Sequence, residues 1–102
     1  MNTQIFEQIR QLKQQIMPNE KVILFGSQAR GDARPDSDWD LLILLNKEKS
    51  NFDEDYDKYG YPFTQMGWNY GTYISPKIYT TAEWERPSLL RMFVEQEGIE
   101  II

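Results

Sequence analysis

The sequence contains neither cysteine nor histidine. That excludes a disulfide framework, a Cys/His zinc site, a thiol nucleophile, an imidazole base and a Ser-His-Asp triad. Any chemistry falls to carboxylates, hydroxyls, Lys, Arg, the backbone and hard metal ions. Long hydrophobic runs are missing too. The longest aliphatic stretch is residues 41–45, far short of the roughly 20 apolar residues that cross a bilayer. The opening MNTQIFEQIRQ has no apolar signal-peptide core, so the expected location is cytoplasmic. Positive charge is also scarce: 11 Lys and Arg stand against 16 Asp and Glu, a net charge of −5, which argues against an extended nucleic-acid footprint.

At 102 residues the chain is expected to form one domain, residues 1–102. Ile5, Ile9, Leu12 and Ile16 recur at helical spacing, with Thr3 as the expected cap and Pro18-Asn19 as the stop. KVILF, residues 21–25, reads as a buried strand halted by Gly26, and SQARGDA allows no more than two helical turns. Residues 38–45 read as a central strand interrupted by Asp40. Phe52, Tyr56, Tyr59, Phe63 and Met66 mark a third helix, opened by a Ser50/Asp53 capping box and interrupted at Gly60 and Pro62. Residues 72–80 alternate as a strand that Pro76 confines to an edge or a bulge. Thr80 and Glu83 form a second capping box, residues 88–96 a last helix closed by Gly98, and residues 99–102 an apolar tail able to add a strand. The expected fold class is therefore α+β with an α/β-like order: a small mixed sheet of three to four strands with helices packed on it.

The chemistry concentrates in one span. Gly26-Ser27 stands at a strand-to-helix turn, followed by ten residues and then Asp38-Trp39-Asp40. Backbone N–H groups at such a turn attract phosphate, glycine permits close approach, and the Ser27 hydroxyl adds a hydrogen bond. Side chains two apart on a strand share a face, so Asp38 and Asp40 repel each other unless a cation lies between them. With no His or Cys, that oxygen pair points to Mg²⁺ or Mn²⁺. Taken singly, Gly26-Ser27 also reads as an ordinary tight turn and the two aspartates as a solvated strand end. Asp40 fits the second description poorly, because it breaks an otherwise apolar run where an unpaired carboxylate is costly to bury.

GSQARGDARPDSDWDLLIL resembles the signature of the DNA polymerase beta-type nucleotidyltransferase superfamily. Its ARG-x-x-x-P-x-SD-x-D details are similar to those of the minimal nucleotidyltransferases, small proteins paired with HEPN-domain partners in toxin–antitoxin systems. The specific motif covers residues 22–45, with a looser match through YISPKIYTTAEWE and the terminal EGIEI. The resemblance implies that Gly26 and Ser27 hold a triphosphate, with Asp38 and Asp40 as catalytic residues and metal ligands. It implies ATP as donor and an acceptor hydroxyl on a partner toxin, possession of an antitoxin role, and a third carboxylate on a later strand. That last position falls near Thr72 or Tyr73, and residues 69–82 contain no Asp or Glu. A non-catalytic antitoxin or binding module with a vestigial nucleotide site is the alternative this gap supports.

Other residues carry two readings. Arg30 would grip phosphate through its guanidinium or pair with Asp32 or Asp36 on a helix surface. Ser37 reads as a turn residue, and DEDYD, residues 53–57, as a solvated helix face rather than a second metal site. The stripe of Phe52, Tyr56, Tyr59 and Phe63 is expected in the core. Aromatics make up 14% of the chain, many for a small core, so some are expected on a partner surface. Self-association and the acceptor's identity stay open.

Overall fold

The computed structural model describes residues 1–102. Four strands, β1 (Lys21–Phe25), β2 (Trp39–Leu45), β3 (Ile74–Thr80) and β4 (Ile99–Ile101), form one sheet in the order β3-β2-β1-β4. β1 runs antiparallel to both β2 and β4, whereas β2 and β3 are parallel. The sheet is thus mixed, the tail does add a strand, and β3 lies at an edge, where Pro76 removes no needed ladder donor.

Strand alternation sorts β2 into two faces. Trp39, Leu41, Ile43 and Leu45 join Val22, Leu24, Ile74 and Phe63 in the main core, under α1 (Thr3–Ile16) and α4 (Tyr61–Asn69). On the opposite face Leu42 and Leu44 pack with Phe25 and Val94 in a smaller cluster, under α5 (Thr81–Trp84) and α6 (Leu89–Glu97). Asp40 falls on this second face, at the end where the apolar cover runs out.

Several local expectations shift. Asn2, not Thr3, caps α1, its side chain accepting from the N–H groups of Gln4 and Ile5. Asn51, not Ser50, caps α3 (Phe52–Asp55); the Ser50 hydroxyl instead donates to Glu83. In each case an Asn immediately before the helix takes the cap, one residue before Thr3 in α1 and one after Ser50 in α3. The Thr80/Glu83 box forms as expected. Between α3 and α4 the chain stays helical through a π turn, Tyr56–Gly60, so the interruption at Gly60 and Pro62 is a local widening.

DEDYD is not simply a solvated face. Asp55 is buried, joined to the Lys47 ammonium and to the Asn51 N–H at 2.9 Å. Burial pushes its carboxyl up, but these two partners outweigh it and hold the group below the usual carboxylate range. The aromatic stripe also divides. Phe63 is fully buried, Tyr56 and Tyr59 are half-buried, and Phe52 is 74% exposed, stacked on Tyr56.

Candidate active site

Gly26 ends β1 with φ +77° and ψ −159°, a backbone conformation essentially reserved for glycine. There the chain turns sharply into the single turn α2 (Ser27–Arg30), which Gly31 closes at φ +85°. A Cβ on Gly26 would stand 2.5 Å from Asp40 Oδ2. The glycine is therefore needed twice, for the turn and for the approach of the carboxylate. The same contact sets the Asp40 carboxylate against Gly26, the residue that caps the start of α2.

The loop into β2 is tied down by short-range bonds. The Ser37 hydroxyl accepts from the Arg34 N–H at 2.8 Å, and the Ser37 N–H donates to the Arg34 carbonyl at 3.0 Å. Buried Gln28 donates from α2 to the Ser37 carbonyl at 3.2 Å. Ser37 is thus a turn residue as expected, and it delivers Asp38 to the strand entrance. The strand itself begins one residue later than expected, at Trp39, whose N–H donates to the Tyr73 carbonyl at 2.9 Å.

Asp38 is exposed and Asp40 half-buried. Neither takes part in any ion pair of the chain. Burial raises the Asp40 carboxyl above its ordinary value; Lys77 opposes this, Asp38 adds to it by repulsion, and Arg30 opposes it. Two carboxylates on one face, one of them partly desolvated and unpaired, suit a hard divalent cation as two of its oxygen ligands. No three Asp or Glu side chains are placed to hold one metal ion together. Across from Asp40 the register places Ser75, and the same register continued one residue back sets Tyr73 beside Asp38. Of the two positions considered for a third carboxylate, Tyr73 shares the Asp40 face. Thr72 lies on the other side, in a cleft of about 310 Å³ with Trp39, Gln28 and Arg34.

All five sequence-level candidates, Gly26, Ser27, Arg30, Asp38 and Asp40, converge at this end of the sheet. Arg30 pairs with Asp32 at 3.2 Å and with Glu97 at 3.1 Å. Glu97 is an addition that no sequence motif marks. It also accepts from the Gly26 N–H at 3.3 Å across a separation of 71 residues. No local signal marks it, since only the pairing of β4 with β1 brings it there. Lys77, two residues beyond Ser75 on the same face, is a further addition. Its only sequence signal is the period-2 alternation of β3.

The model of the nucleotidyltransferase domain matches residues 3–98. The chain belongs to this nucleotidyltransferase family. No curated protein matches the sequence. Among solved structures, a toxin–antitoxin complex with AMP-PNP is similar at a TM-score of 0.66 and 18% identity, covering 100% of this chain and 73% of that one. Two mutants of the toxin–antitoxin pair MntA–HpeT follow. One has a TM-score of 0.63 at 15% identity, covering 95% and 71% of the two chains; the other has 0.63 at 17%, covering 94% and 70%. At these identities the likeness is one of fold, and it places the mixed sheet and its helices within the polymerase beta-type nucleotidyltransferase architecture. No helix is long and apolar enough to cross a membrane.

Proposed function

We propose that this nucleotidyltransferase is a single-domain, Mg²⁺-dependent enzyme that transfers AMP from ATP to a hydroxyl on a partner toxin and so acts as an antitoxin. The observation that carries this reading is the unpaired Asp38/Asp40 face set against the Gly26 turn in a chain of this family. AMP-PNP in one structural neighbour and the toxin–antitoxin nature of all three support the choice of nucleotide and partner class. The resemblance read from the sequence points to a HEPN-domain protein as that partner.

In this reading Gly26 and Ser27 seat the β- and γ-phosphates through their backbone N–H groups and the Ser27 hydroxyl. Arg30 adds charge at the phosphates, and Asp38 and Asp40 hold Mg²⁺ or Mn²⁺. A bound divalent ion polarises the α-phosphate and lowers the pKa of the attacking hydroxyl. The acceptor oxygen forms the new bond to the α-phosphorus while the bond to the leaving pyrophosphate breaks. The acceptor proton passes to solvent.

A second reading is favoured by Ser75 and Tyr73, neutral residues standing where a third carboxylate would face Asp38 and Asp40. In that reading the chain binds its toxin without turnover. Incubating the purified protein with α-labelled ATP, Mg²⁺ and the co-expressed product of the neighbouring gene separates the two. Label on the partner is the expected result. A tight complex that stays unlabelled would make the binding module the better description.

A further inference from the structure

Glu97 sits where the proposed function needs an empty seat. Its carboxylate accepts from the Gly26 N–H at 3.3 Å and from Arg30 Nη1 at 3.2 and 3.1 Å. These two donors are the ones that reading gives to the nucleotide phosphates. Glu97 is the last residue of α6, and its side chain is only 17% exposed.

The placement is built into the fold. β4 pairs with β1 so that Ile99 faces Leu24 and Ile101 faces Val22. Continued two residues back, the same register sets Glu97 opposite Gly26. The residue between them and the strand, Gly98, allows this closeness. A Cβ there would meet the Val94 carbonyl at 2.5 Å and Ile23 Cγ2 at 2.7 Å, so a larger residue would lift the end of α6 off β1. A carboxylate and a phosphate oxygen are both anionic acceptors, and one set of donors cannot fully serve both.

We infer that Glu97 is an internal competitor for the phosphate seat, a self-inhibiting contact that nucleotide must displace from Gly26 and Arg30 before it binds. This rests on the nucleotide reading proposed above. A nucleotide-competent state that is only fractionally populated lowers apparent affinity by that fraction. Removing the Glu97 charge is therefore expected to tighten binding.

The test is calorimetric titration of the full-length protein with Mg·ATP, and separately with inorganic tripolyphosphate, in wild type, Glu97→Gln and Glu97→Asp. Gln removes the charge at nearly constant volume. Asp keeps the charge but shortens the reach, which guards against a Gln variant that fails to fold. Both variants are expected to bind both probes more tightly, Glu97→Gln by about tenfold, the scale of a charge-assisted hydrogen bond. Unchanged affinities would overturn the competitor role while leaving the nucleotide site in place. Weaker binding in both variants would overturn it in favour of Glu97 as part of the nucleotide or metal site. If no form of the protein, wild type included, binds either probe, the nucleotide reading itself fails and the competitor role falls with it.

Discussion

Asp40 and Asp55 are both withdrawn from solvent, yet the chain treats them oppositely. Asp55 is almost wholly buried and fully provided for: Lys47 neutralises it and the Asn51 N–H bonds to it. Asp40 is half-buried, sits among Asp38, Lys77 and Arg30, and takes part in no ion pair. The first carboxyl is held below its usual range despite burial, the second above it because of burial. A carboxylate with its partners supplied locks a helix start. One left without them has coordination to offer, and its unfavourable environment persists in the folded chain until something positive arrives.

The largest effect should separate the two aspartates by function. Asp40→Asn is expected to lower nucleotide transfer by about 10²–10³-fold, the scale of removing one charge-stabilising group, with the fold intact by circular dichroism. Asp55→Asn should leave transfer near wild type once its concentration of folded protein is matched. Comparable losses in both would erase the distinction.

Stability should reverse the ranking. Asp55→Ala strips the Lys47 pair and the bond to the Asn51 N–H, and is expected to destabilise the protein by about 1–3 kcal/mol in urea unfolding. Adding a side chain at Gly26 attacks the other region: Gly26→Ala should cost about 1–3 kcal/mol from the φ of +77° alone. It also forces Asp40 aside. A Gly26→Ala protein as stable as wild type would mean that the turn is not held as described.

The two aspartates also predict opposite pH dependences. Asp55, with its folded pKa lowered, contributes stability that is present above its unfolded pKa and lost as pH falls through the folded one. Asp40, with its folded pKa raised, is unfavourable once ionised. That penalty appears as pH climbs from the ordinary carboxyl value through the raised one and is constant above it. In metal-free buffer at neutral pH, Asp40→Asn should therefore melt higher than wild type and Asp55→Asn lower. Both differences should vanish in acid where the native carboxyls are protonated. An Asp40→Asn variant that melts lower at neutral pH would show the wild-type carboxylate to be satisfied within the chain.

The smallest expected change concerns the absent third carboxylate. Tyr73 shares the Asp40 face and Thr72 does not. Tyr73→Asp should tighten Mg²⁺ binding and raise the transfer rate, with Thr72→Asp as the control that does neither. Equal effects from both would mean that the β3 entrance is out of register with β2.

Local patterns carried much of this into view. KVILF before a Gly-Ser turn, the apolar run broken by Asp40, Pro76 at an edge and the Thr80/Glu83 box are short-range features, and each forms where the sequence indicates. Two of the misses share a cause. The burial of Asp55 depends on Lys47 folding back over α3, and the arrival of Glu97 beside Gly26 depends on the β4–β1 register. Both are tertiary facts without a local periodicity. The caps at Asn2 and Asn51 each lie one residue from the expected position because adjacent polar side chains compete for the same N-terminal N–H donors.

In the proposed function, Asp38 and Asp40 join the Gly26 turn through a divalent cation to hold a nucleoside triphosphate. Calorimetric titration of ATP into the wild-type protein, with Mg²⁺ and then with EDTA, tests it most directly. Two unpaired carboxylates should repel the triphosphate when no cation is present and bridge to it when one is, so binding is expected with Mg²⁺ and lost in EDTA. Equal affinity in the two buffers would contradict the claim and remove both aspartates from any metal role.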